Sequence, residues 1–193
     1  HDGSRAAARL GTVLETLLLM HRFKLHGFFT GLHFALLQLC YLLLLQFQVS
    51  STYLTYALIV SAWMAGAIAG LALKSLSAGR ALVIGVLAYY GALVTVSLMP
   101  LAWFTLPAAG AAVFLSGLWA GRFFVVMLPH IKRVDSLFFH ENNGFLVGLV
   151  ATLIAFTQLG HPFVVWAPLV SAATLFAHAR RILRQPTETL KPR

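Results

Sequence analysis

The chain is a series of long apolar runs separated by short polar stretches, and the length of those runs predicts its structure. A bilayer core of about 30 Å is crossed by about 20 mostly apolar residues in helical form. The runs that meet this requirement extend from about Gly27 to Val49, Tyr53 to Leu73, Ala81 to Phe104, Pro107 to Pro129, Phe138 to Leu159 and Phe163 to Ala179. Lys74 to Arg80 separates the second from the third, and Gly160-His161-Pro162 reads as a tight turn into the sixth. Pro107 suits a first helical turn, and Pro129 is expected to close the fourth run. Inside lipid each segment must satisfy its own backbone, and barrel strands would be half as long and alternating. The predicted fold is therefore all-α: a polytopic membrane protein with six transmembrane helices.

Ahead of the first run, Leu10, Val13, Leu14, Leu17 and Leu18 recur at helical spacing, with Arg5, Arg9, Thr12, Glu15 and Thr16 elsewhere. This pattern predicts an amphipathic helix in the membrane interface. A signal peptide fits less well, because the apolar stretch is short, contains Glu15 and lacks a small-residue cleavage pattern. The expected organisation is an interfacial helix over 1–24, a six-helix domain over 25–181 and a cytoplasmic tail over 182–193. The tail holds two prolines and is expected to be disordered. No room is left in these 193 residues for a soluble catalytic module.

Composition strengthens the membrane reading. The chain is 60% apolar and 10% charged, whereas soluble domains carry about 25% charged residues. The net charge of +9 could suggest nucleic acid, but the basic residues form no amphipathic face with interleaved aromatics, so no nucleic-acid partner is expected. They punctuate the ends of the runs instead. Arg5, Arg9, Arg22 and Lys24 precede the first span, Lys74 and Arg80 follow the second, and Lys132 and Arg133 follow the fourth. Arg180, Arg181, Arg184, Lys191 and Arg193 follow the sixth, and the other turns contain none. With six spans every basic segment falls on one side, which predicts cytoplasmic termini in a cell (inner) membrane and anionic lipids as neighbours. The single cysteine, Cys40, lies in mid-span and reads as a packed residue.

Candidate contact faces are marked by pairs of glycines four residues apart: Gly66 and Gly70, Gly117 and Gly121, and Gly144 and Gly148, the last followed at the same spacing by Thr152. Such pairs let membrane helices pack closely. Ionisable groups within spans are costly and suggest function by default. Arg122 in the fourth span and Glu141 at the start of the fifth are the two that stand out. At 1.5 Å per residue they lie roughly 10 Å and 5 Å below the surface, within reach of each other if the arginine snorkels. They read as a structural ion pair or interfacial anchors, or as part of a solute or proton site. The run His140-Glu141-Asn142-Asn143 can serve as an N-terminal cap, since a carboxylate favours the positive end of a helix. Joined to His33 and Gln38, it would instead give a polar lining in which Glu141 accepts a proton and Arg122 clamps an anion.

Haem needs two facing ligands at one depth. His26, His130, His140 and His178 lie near the basic helix ends and His161 in the opposite turn, so the sequence offers no mid-membrane pair. No close metal-ligand spacing, nucleophilic triad or phosphate-binding glycine loop is present, and no cofactor is expected.

Two segments resemble a known family. Gly27 through Gln48 to Met64-Ala65-Gly66-Ala67-Ile68-Ala69-Gly70 is similar to the first two helices of the membrane-embedded spermidine-synthase-like proteins. Gly117 to Pro129, with Glu141-Asn142-Asn143-Gly144-Phe145-Leu146-Val147-Gly148, resembles that family's later helices. The acidic residue such proteins carry in helix one is absent, Gln38 being nearest, and no aminopropyltransferase-like domain is present, so the resemblance implies a membrane fold without that activity. Gly70 to Arg80 also resembles the loop between helices two and three of major facilitator transporters, with its acidic residue replaced. Six helices would be half of such a transporter. The expected function is a non-catalytic membrane subunit or scaffold, packed with other membrane subunits or with copies of itself. The alternatives are a half-size transporter moving a small polar or anionic solute as a dimer, and a membrane haem protein.

Overall fold

The computed structural model describes residues 2–49, 53–131 and 133–183, and their side chains except those of 2–10, 12–19 and 182–183. These residues form α1 (Asp2–Gln48), α2 (Tyr53–Ala72), α3 (Ala78–Leu98), α4 (Thr105–Ile131), α5 (Val134–Leu159) and α6 (His161–Leu183). All six are long and apolar enough to cross a membrane, the crossing part of α1 being Met20–Gln48. The segment preceding that part is helical and runs into the span without a break, so α1 is 47 residues long. The side chains that would give its amphipathic face, and the tail after residue 183, lie outside the described residues.

Prolines lie at three of the boundaries expected from the runs. The third apolar run extends to Phe104, but α3 stops at Leu98, because Pro100 disfavours helical geometry at Met99, which adopts φ −139° and ψ 58°. The following turn is closed by the Thr105 hydroxyl donating to the Met99 carbonyl. Pro107 occupies the third position of α4, where its missing N–H costs no hydrogen bond. Pro129 does not close the fourth run: α4 continues through it to Ile131. The turn at Gly160 is formed as expected. Its φ of 62° suits a residue without Cβ, and its amide donates to the Phe156 carbonyl to finish α5.

The helices alternate in direction. Going up α1, His26 meets Phe123 and Tyr41 meets Ser116, so α4 runs against it. His26 also meets His178 and His33 meets Ser171, so α6 does the same. Packed alongside α1 in the same direction is α5, with Phe28 at Gly144 and Leu32 at Gly148. The described basic residues at helix ends, including Arg22, Lys24, Lys74, Arg80, Arg133, Arg180 and Arg181, therefore gather at one end of the bundle.

Two helices form its axis. α1 packs mainly on α5 and α6, and α4 mainly on α2 and α3. Each half of the chain thus lends its first helix to the last two of the other half. The core lies along these axes, with Phe34, Leu37, Tyr41 and Leu45 of α1 and Val113, Trp119, Phe123 and Met127 of α4 all buried. Outward faces carry Leu54, Met64 and Ile68 on α2 and Leu146, Val150 and Ile154 on α5, all exposed. Apolar surface on this scale needs an apolar solvent. The chain is a multi-pass membrane protein.

Close approach along each axis is set by glycines. A Cβ at Gly66 would strike the Phe114 carbonyl of α4, and one at Gly121 the Ala67 carbonyl of α2; Gly70 and Gly117 line the same contact. A Cβ at Gly144 would strike the Phe28 carbonyl of α1, and one at Gly148 would lie 2.8 Å from the Leu32 carbonyl oxygen. The opposing surface on α1 is Gly31, which faces the Glu141 carbonyl. Gly31→Ala is expected to cost about 3 kcal/mol or more, seen as a lower thermal midpoint in detergent. Gly91→Ala, with nothing within 4 Å of the added methyl, should leave the midpoint unchanged or higher. Equal loss in both variants would contradict this account of the packing.

Candidate functional site

The six polar residues suspected from the sequence do not converge. Arg122 and Glu141 are both buried, at 6% and 8% exposure, but form no ion pair with each other; the expected pairing is not made. The reason is topological. α4 and α5 touch only slightly, with α1 packed extensively against α5 at Glu141 while Arg122 follows Gly121, the residue seated on the end of α2. The ion pair present among the described residues, Arg133 with Asp135, is exposed and contributes little. Its carboxylate raises the Arg133 guanidinium pKa, mainly by hydrogen bonding. Asn142 is exposed, and the Asn143 amide donates to the Phe139 carbonyl of its own helix at 2.8 Å. Gln38 is half-buried. His33 is fully enclosed against α6. None of the six lines any of the cavities described here.

What the helices do bring together is a set of hydrogen bonds that close backbone gaps. The Ser171 hydroxyl donates to the Pro168 carbonyl at 3.1 Å, so its one proton is committed. His33 Nδ1 lies 2.8 Å from that hydroxyl oxygen, and it is the donor in the tautomer that leaves the serine proton on the carbonyl. His33 Nε2 is buried without a partner among the described residues. By the same logic Ser116 donates to the Gly85 carbonyl at 2.9 Å, and Tyr41 donates to Ser116 at 2.9 Å, tying α1, α3 and α4 together.

Pro168 lies inside α6 and offers no N–H, so the Val164 carbonyl one turn earlier lacks its helical donor. The Tyr89 hydroxyl of α3 donates to it at 2.7 Å, and the neighbouring Tyr90 hydroxyl donates to the Val165 carbonyl at 2.7 Å. This is how proline is accommodated in a membrane helix, through donors from a neighbour. Neither tyrosine stands out in the sequence, because the signal is a relation between Pro168 and residues 75 positions away from the carbonyls they reach.

Near the basic end His26 of α1 and His178 of α6 stack with ring centroids 5.5 Å apart and Nδ1 atoms 3.3 Å apart. The sequence put both at the same end but gave no sign that they touch. His26 Nε2 and Trp119 Nε1 are buried without partners among the described residues, as are Nε and Nη1 of Arg122. Among the described residues no group of three or more His, Cys, Asp or Glu is placed to hold a metal ion.

The fold and these sites define a class, a six-helix multi-pass membrane bundle with an axis of two central helices. Comparison with protein-family models, with curated proteins and with solved structures finds no match to this chain.

Tyr89→Phe is expected to destabilise by about 1–3 kcal/mol, the cost of an unsatisfied buried carbonyl. In a Pro168→Ala background, where residue 168 regains its amide, the same change should cost less. A double-mutant cycle on thermal midpoints measures the coupling, and simple additivity would refute the link. Arg122→Met should hold or raise the midpoint, since a desolvated cation is removed with no ion pair to lose. A fall of more than a few degrees would reveal a partner for the guanidinium.

Proposed function

We propose that the chain is a non-catalytic subunit or scaffold of a larger assembly in the cell (inner) membrane, with its basic end and both termini in the cytoplasm. The observation that carries this reading is the dispersal of the polar residues. His33 is sealed between α1 and α6, Asn142 is exposed, and Arg122 and Glu141 sit on different helices and form no ion pair with each other. A solute path needs such groups around one cavity, and a scaffold needs none. Close backbone seams along both axes support a rigid body, suited to holding neighbours in place. The basic end supports contact with anionic lipid headgroups.

A second reading, a half-size transporter working as a dimer, draws on one specific observation. The α1–α3 and α4–α6 halves run in opposite directions and exchange their first helices, and inverted three-helix repeats occur within halves of transporters. The resemblance of Gly70 to Arg80 to a major facilitator loop favours the same reading.

Cysteine accessibility separates the two. In a Cys40→Ala background, His33→Cys and Gln38→Cys are expected to resist a membrane-impermeant maleimide in native membranes, while Arg80→Cys at the exposed end labels readily in inverted vesicles. Labelling of position 33 or 38 from water would favour the transporter. The scaffold reading further expects the protein to leave the membrane in a mild detergent as a complex heavier than its own 21.1 kDa. A lone monomer would overturn it.

A further inference from the structure

Between α3, α4 and α6, with α1 behind them, lies a cavity of about 210 Å³ at the basic end. Its walls include His26, Ala78, Gly79, Trp119, Leu175 and Arg180. A second crevice of about 220 Å³ continues from it along the outer α3–α6 seam, sharing Leu82 and Phe176. The walls of this second part are entirely apolar, and Leu87 and Leu169 expose it sideways to the surroundings of the bundle. The two together are an apolar slot opening onto the membrane with a polar upper end.

Three features of that upper end favour an anion. Arg180 lies in the wall, its guanidinium 4.4 Å from the centre of the Phe176 ring that divides the two compartments. Ala78 and Gly79 are the first two residues of α3; Ser77 caps the Arg80 amide, which leaves the amides of 78 and 79 as first-turn donors at the positive end of a 21-residue helix. Neither Asp135 nor Glu141 lines the cavity, so among the described residues no carboxylate opposes a negative charge there. An independent observation points the same way. Trp119 and His26 are 4% and 1% exposed, and both Trp119 Nε1 and His26 Nε2 are buried without a partner among the described residues. The indole nitrogen can only donate, so the missing group is an acceptor oxygen.

We propose that this slot binds an anionic phospholipid from the leaflet at the basic end. One acyl chain lies along the α3–α6 crevice, the phosphate sits by Arg180 and the first turn of α3, and ester oxygens accept from the ring nitrogens behind. Apolar length and anionic attraction coincide in one place, which a free anion or a neutral lipid would use only in part. The binding extends any function the bundle has and does not depend on the scaffold reading, since it is measured on the purified chain.

The test is native mass spectrometry of the full chain in detergent, titrated separately with phosphatidylglycerol, phosphatidylcholine of the same acyl chains, and inorganic phosphate. One phosphatidylglycerol should be retained at least fivefold better than phosphatidylcholine. Arg180→Gln should erase that preference. Arg133→Gln, at the same end but away from the cavity, should preserve it. Ala173→Trp fills the apolar crevice from an exposed position and should lower retention of both lipids at least fivefold. Elution position in size exclusion verifies that each variant is folded. Equal loss in Arg133→Gln and Arg180→Gln would mean general surface charge and would overturn the site. Retention unaffected by Ala173→Trp, or displacement of phosphatidylglycerol by millimolar phosphate, would remove the acyl-chain part and leave an anion site alone.

Discussion

Two membrane helices can bring their backbones into contact only where a side chain is missing from the face between them, and this bundle depends on that condition twice. Along α2 and α4 the gap is opened by Gly66, Gly70, Gly117 and Gly121; along α1 and α5 it is opened by Gly31, Gly144 and Gly148. Lipid tails are as apolar as leucine, so hydrophobic burial does little to drive helices together in the bilayer, and dense packing must do that work. The positions of α3 and α6 follow. α3 lies on α4 through Gly85 and Ser116, and α6 lies on α1 through His33 and Ser171.

With the axes set, the remaining task is to leave few polar groups stranded. Pro168 would free a carbonyl inside α6, and Tyr89 supplies the lost donor from α3. Ser116 and Ser171 each donate to a carbonyl and hydrogen-bond through the same hydroxyl to a neighbour, Tyr41 and His33 respectively. The same bookkeeping marks what is left open. Arg122, His33, His26 and Trp119 each keep a buried nitrogen without a partner among the described residues, and in lipid such a remainder has a real energetic cost. For His26 and Trp119 the remainder borders a cavity, where a bound acceptor would satisfy it.

The number of helices and the gathering of cations at one end were legible in the run lengths and in the spacing of Lys74, Arg80, Arg133 and Arg180, because both are local or cumulative properties of the chain. Helix ends were less so. Pro100 cut α3 short of its apolar run, whereas Pro129 did not stop α4, since a proline near a helix end disturbs few hydrogen bonds. The candidate polar set failed to converge for a reason no spacing reveals: Arg122 and Glu141 sit on α4 and α5, which pack mainly on other helices and touch each other only slightly. The contacts that do form, His26 with His178 and Tyr89 with Val164, join positions 152 and 75 residues apart. A single sequence carries no record of such pairs.

The exchange of first helices also imposes an order on biogenesis. α1 enters the bilayer long before α5 and α6 have been synthesised, and its serine acceptor for His33 is 138 residues further on. Until then the imidazole and the bare Gly31 face have no permanent neighbour, and contacts that distant in sequence form late and slowly. α4, by contrast, finds α2 and α3 already present when it arrives. The amino-terminal axis is therefore the last part of the bundle to be sealed: the α1 face that meets α5 and α6 stays open until those two helices have been made.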